Sequence, residues 1–96
     1  MSIYYLLKEN RDQIVKIAEE HGATHVRIFG SVARGEADTE SDVDFLVRLE
    51  PGTTLLKHAA LVRELKKLLG CNVDVVSERG LREGIKDRVM REAVPI

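Results

Sequence analysis

The sequence predicts a small α/β (α+β) domain, a mixed β-sheet of about three strands with helices packed on one face. Three observations predict it. Three short stretches, around Val26, Val43 to Leu49 and Val73 to Val75, alternate apolar and polar residues with the period of a strand. Two longer stretches, one near the N-terminus and one after Pro51, repeat apolar residues at helical spacing. The 96 residues, 44% hydrophobic and 32% charged, suffice for one compact core but not two, so 1–96 reads as a single domain.

The elements follow in order. Ile3, Leu7, Ile14, Ile17 and Ala18 recur near helical spacing after Ser2, a candidate cap, and Gly22 offers a stop, so a helix is predicted over 3–20. Residues 24–29 form a first strand that ends at Gly30, 31–35 a helical turn, and 36–41 a polar loop. The unbroken period-two face of Val43, Phe45, Val47 and Leu49 makes 42–49 a second strand, with Asp42, Asp44, Leu46 and Arg48 on the opposite face. After the Pro51-Gly52 turn, Leu55, Val62, Leu65 and Leu69, flanked by Leu61 and Leu68, predict a long amphipathic helix stopped at Gly70. Residues 72–76 are a third strand, with Val73 and Val75 on one face and Asp74 on the other. Leu81, Ile85 and Val89 mark a last helix that ends before Pro95. More than twenty residues, including a helix, separate the second and third strands, so a right-handed crossover is expected to set them parallel and adjacent. Asp74 then lies beside Asp42 or Asp44 on one sheet face.

The charge balance bounds the partners. Fifteen Lys+Arg against 16 Asp+Glu give −1 overall, which removes the global attraction of a nonspecific nucleic-acid or membrane-surface binder. The charges are unevenly placed. Glu36, Asp38, Glu40, Asp42 and Asp44 put five acids into nine residues without a base, whereas Arg79, Arg82, Lys86, Arg88 and Arg91 crowd the tail, a usual solvated face or a docking surface. Cys71 is the only cysteine, which leaves no internal disulfide and fits a reducing, cytoplasmic compartment; next to an apolar strand it reads as a small core residue. No apolar run approaches the roughly 20 residues of a membrane span. His21, His25 and His58 show no metal-ligand spacing and read as structural or surface residues. Tyr4 and Tyr5 fit core packing or a partner contact equally. A chain this short buries only about 60 to 65% of the surface its unfolded form exposes, so association with a partner is expected.

The chemistry gathers at Gly30-Ser31, ten residues, then Asp42-Val43-Asp44, with Asp74 later. Side chains two apart on a strand project together, from Cα atoms about 6.5 to 7 Å apart. Carboxylates that close repel by roughly 4 kcal/mol at an effective dielectric near 20, so the group calls for a neutralising cation or a retained proton. Hard oxygen ligands beside a phosphate substrate suit Mg²⁺, or Mn²⁺. With Asp74 added, three carboxylates suffice for two ions about 3.5 to 4 Å apart, one activating the attacking oxygen and one the leaving pyrophosphate. Asp74 is also a candidate to take the nucleophile's proton. Gly30 allows close backbone approach to a phosphate, Ser31 offers a hydroxyl and an amide, and Arg34 a charge-assisted contact. Taken singly, Asp-x-Asp reads as a solvated surface pair, Gly-Ser as an ordinary turn, Asp74 as an outward strand residue and Arg34 as a surface arginine; Glu36, Asp38 and Glu40 read as a solvated loop. The combination and its spacing carry the site.

At these residues the sequence resembles the minimal nucleotidyltransferases (MNT) of the DNA polymerase β-like superfamily, whose Gly-Ser, ten residues, Asp-x-Asp signature is matched within GSVARGEADTESDVDFLV. NVDVV and the closing REGIKDRVMREAV also resemble the family's ending, so the likeness spans nearly the whole chain. The resemblance implies the nucleotidyltransferase fold, with Gly30 and Ser31 on the nucleotide's phosphates, Asp42 and Asp44 on the metal ions and Asp74 as the third carboxylate. It further implies an antitoxin that transfers AMP from ATP to a tyrosine of a cognate HEPN-domain ribonuclease toxin, in a hetero-oligomer with it. Larger relatives carry a second domain that orients the acceptor, and none follows here. That departure argues against tRNA-adding, poly(A)-adding or antibiotic-modifying roles and puts the acceptor in trans. The rival expectations are an antitoxin that neutralises its toxin by binding alone and a transferase acting on a small molecule.

Overall fold

The computed structural model describes residues 3–36 and 42–96. The proposed Ser2 cap, and all of the 36–41 loop except Glu36, lie outside them.

The N-terminal helical stretch is two helices rather than one, α1 (Ile3–Glu9) and α2 (Arg11–Glu20). Asn10 separates them at φ −101° and ψ 12°, and its Nδ2 donates to the Leu6 carbonyl at 2.9 Å. Such side-chain competition for backbone partners is why asparagine interrupts helices. The apolar stripe survives the break, because Ile3, Leu7, Ile14 and Ala18 are all buried.

β1 (Ala23–Phe29) leads into the short helix α3 (Gly30–Ala33), and β2 (Val43–Leu49) follows. Next come α4 (Leu55–Leu69), β3 (Val73–Ser77), a 3-10 turn (Glu78–Gly80), α5 (Glu83–Glu92) and β4 (Val94–Pro95). The sheet order is β3-β2-β1-β4. β2 and β3 run parallel, as their helical crossover requires, and β1 pairs antiparallel with both β2 and β4. The fourth strand exceeds the three expected. It is two residues long and contains a proline, so no period marks it, and its edge position is where proline is tolerated.

One face of the sheet carries the core. Ala23 and Ile28 of β1, Val43, Phe45 and Val47 of β2, and Val73 and Val75 of β3 pack against the stripes of α1 and α2, Val32 of α3 and Leu61, Leu65 and Leu69 of α4. Burying side chains of this size stabilises the fold by about 1.5 to 3 kcal/mol each. The stripe of α4 is narrower than the sequence implies. It follows the four-residue spacing of Leu61, Leu65 and Leu69, and Leu55, six residues before Leu61, is 86% exposed. His58 joins α4 to β3, its Nε2 lying 2.8 Å from the Val75 carbonyl.

α5 lies on the other face, where the sequence places all helices together on one. Leu46 and Val89 are buried outside the main core, and Arg27, the β1 partner of Leu46, approaches Met90 of α5 at 3.9 Å. Leu46, the one apolar residue on the polar side of β2, is fully buried there. Ile85, expected on the buried side of α5, is 45% exposed. Among the described residues no helix is long and apolar enough to cross a membrane.

Candidate active site

The site is built on the central strand. Asp44 of β2 is the register partner of Asp74 on β3 and of Phe29 on β1. The neighbours Val43, Phe45, Val73 and Val75 all point into the core, so Asp44 and Asp74 share the opposite face, about one strand spacing of 4.8 Å apart. Asp42 sits one residue before β2 and is exposed, as is Asp74, whereas Asp44 is half-buried. The three acids are felt together at Asp44. Its carboxyl is pushed above the usual carboxylate range, first by burial and then by the charges of Asp74 and Asp42, with Arg34 acting in the opposite sense.

Gly30 closes the site from the β1 side. It begins α3 at φ +74°, and a Cβ there would stand 2.5 Å from Oδ2 of Asp44. Only glycine allows both the left-handed backbone and this approach. Ser31 is half-buried in the same turn. Arg34 lies at the end of α3 and is exposed. Its Nε donates to Glu36 at 3.0 Å and its Nη1 to Glu92 at the end of α5.

All six residues singled out from the sequence therefore belong to one end of the sheet: Asp44 and Asp74 on β2 and β3, Asp42 one residue before β2, and Gly30, Ser31 and Arg34 on the adjoining turn. Sequence reasoning did not single out Glu92, which reaches Arg34 only through tertiary structure, with no local signal to announce it. A cleft of about 540 Å³ lies elsewhere, walled in part by Arg48, Ser77, Arg79, Lys86 and Met90, and none of the six lines it.

The donors at the site are carboxylate oxygens, a set that fits Mg²⁺ or Mn²⁺ and not a soft metal. Among the described residues no group of three or more His, Cys, Asp or Glu side chains is placed so that it could hold a metal ion as the side chains stand. The mutual repulsion felt at Asp44 is what a cation would relieve. The histidines take no part: Nδ1 of His21 lies 2.7 Å from the Ile17 carbonyl, His58 contacts Val75, and Nδ1 of His25 lies 3.1 Å from the Thr24 hydroxyl. Cys71 packs against the core, and burial, helped by the charge of Asp42, pushes its thiol up, away from nucleophilic use.

A mixed sheet of this order, with a Gly-Ser turn set against acids on its central strand, is the architecture of a nucleotidyltransferase. The chain belongs to the nucleotidyltransferase domain family, whose profile matches residues 11–96. It is 43% identical over 79 residues to the protein adenylyltransferase MntA of Thermococcus cleftensis, a match covering 82% of this chain and 80% of that protein. A solved structure provisionally described as a minimal nucleotidyltransferase is 49% identical and superposes with a TM-score of 0.89 over 100% of this chain and 97% of its own. A toxin-antitoxin crystal structure with AMP-PNP shares the fold at 22% identity, with a TM-score of 0.76 over 88% of this chain and 70% of its own.

Proposed function

We propose that this protein is an antitoxin that transfers AMP from ATP to a tyrosine hydroxyl of a cognate HEPN ribonuclease toxin and so silences it. The observation that carries the reading is the pairing of Asp44 with Asp74 across β2 and β3, directly against the Gly30 backbone. The protein adenylyltransferase named among its relatives supports the reaction type, and the toxin-antitoxin complex with AMP-PNP that shares its fold supports the partner and the donor.

Asp42, Asp44 and Asp74 would hold Mg²⁺, as two ions. Bound there, the metal supplies charge neutralisation for the triphosphate and polarises the reacting phosphoryl group. The chain's own residues do the rest. The Gly30 backbone admits the phosphates, the Ser31 hydroxyl and amide donate to their oxygens, and Arg34 adds a charge-assisted contact. The acceptor oxygen attacks the α-phosphorus, its proton passes to the Asp74 carboxylate, and the bond from the α-phosphorus to the bridging oxygen breaks to release pyrophosphate. The tyrosine of the toxin is the second substrate in this reading. Mass spectrometry of the toxin after incubation with the protein, ATP and Mg²⁺ tests this: the toxin gains the mass of AMP on a tyrosine, and gains none with folded Asp44→Asn. Full modification by that variant would overturn the reading.

A further inference from the structure

The C-terminal segment is fastened to the site from two sides. β4 pairs with Arg27 and Ile28, immediately before the Phe29-Gly30 junction. Glu92, the last residue of α5, accepts a hydrogen bond from Nη1 of Arg34. The two carboxylates on Arg34 are unequal anchors. The Glu36 side chain is 63% exposed, whereas that of Glu92 is 19% exposed and rises from a helix end tied to the sheet through β4. An arginine that is itself 45% exposed samples many rotamers unless a fixed partner holds it, and ordering it only when a ligand arrives weakens binding. The guanidinium is also close enough to the acidic cluster for its charge to act on Asp44.

We infer that Glu92 is a positioning residue for nucleotide binding, holding the Arg34 guanidinium where the triphosphate enters, so that the end of α5 belongs to the binding machinery. This rests on the nucleotide site proposed at Gly30, Ser31 and Arg34. The test is calorimetric titration of AMP-PNP with Mg²⁺ into the wild type, Glu92→Ala, Glu92→Gln, Arg34→Ala and the Arg34→Ala/Glu92→Ala double variant, with thermal melts alongside. Glu92→Ala should weaken binding about tenfold, the size of one lost charge-assisted bond. Glu92→Gln, whose amide oxygen still accepts from Nη1, should recover most of the affinity, and Glu92→Ala should cost nothing further in the Arg34→Ala background. Unchanged or tighter binding by Glu92→Ala would overturn the inference, as would the same fold-loss with Arg34 already removed, since Glu92 would then act on the fold alone. If Glu92→Ala unfolds, Glu92→Gln carries the test, with an Arg34→Ala/Glu92→Gln double variant added: its smaller loss must vanish in the Arg34→Ala background. Absence of AMP-PNP binding by the wild type would remove the nucleotide site itself, and this inference with it.

Discussion

Asp44 and Asp74 are direct partners in the parallel pairing of β2 with β3, two acids side by side on the face opposite the core. The arrangement costs stability. Folded Asp44 keeps its proton to higher pH than the unfolded chain does, first because it is half-buried and then because Asp74 and Asp42 are near. Across that window the folded state binds more protons, so stability falls as pH rises through it, and above it the ionised carboxylate is a standing cost. Asp44→Asn is therefore expected to abolish transfer yet raise the melting temperature at neutral pH. The gain should shrink as pH falls toward the unfolded value near ~3.9, which melts at a series of pH values will show.

A bound cation removes the same repulsion. Mg²⁺ should raise the melting temperature of the wild type, by about 2.7 kcal/mol of added stability at a hundred times its dissociation constant. The rise should be lost in Asp42→Asn/Asp44→Asn. Identical melts in Mg²⁺ and in chelator would contradict a metal role for these acids.

Gly30 and Gly35 provide a matched pair. Both have φ +74°, but a Cβ on Gly30 meets Asp44 Oδ2 at 2.5 Å, while one on Gly35 meets no described atom within 4 Å. Gly35→Ala should carry the left-handed strain alone, about 1 to 3 kcal/mol. Gly30→Ala should cost more than Gly35→Ala and also abolish transfer, because Asp44 must move. Denaturant melts of the two variants measure the difference.

Glu78 behaves oppositely to Asp44 in acid. Its Oε2 accepts from Arg48 Nε at 3.0 Å and pairs with Arg27 Nη2 at 3.4 Å. The Arg48 hydrogen bond, joined by the charges of both arginines and opposed by desolvation, holds the Glu78 carboxyl below the usual range. That stabilisation is present above the unfolded value of ~4.3 and is lost as pH falls through the folded one. Glu78→Gln should cost about 1 to 3 kcal/mol at neutral pH, because Arg27, whose side chain is only 17% exposed, loses its charge partner. It should also flatten the acid limb of the stability curve.

Much of this was legible in the sequence, and the failures have physical causes. The strands holding Asp44 and Asp74 were readable because each alternates Val or Phe with acid, and the crossover rule gave their adjacency. The two-residue β4 carries no period and exists only through its bonds to β1. Asn10 could be seen, but whether its side chain would take the Leu6 carbonyl depended on packing on both sides. Leu55 fell on the edge of a stripe whose width is set by the sheet beneath it. The Arg34 to Glu92 bond joins residues 58 positions apart, and nothing local announces it.

Transfer of AMP from ATP to a partner protein is tested most directly by following the label. The purified protein and the HEPN toxin proposed as its partner are incubated with Mg²⁺ and ATP labelled at either the α or the γ phosphate. Label should pass to the toxin from the α position alone and should be absent with Asp44→Asn. Label arriving from the γ position would mean phosphoryl transfer, and silencing of the toxin without label from either position would mean neutralisation by binding; each result would contradict the claim.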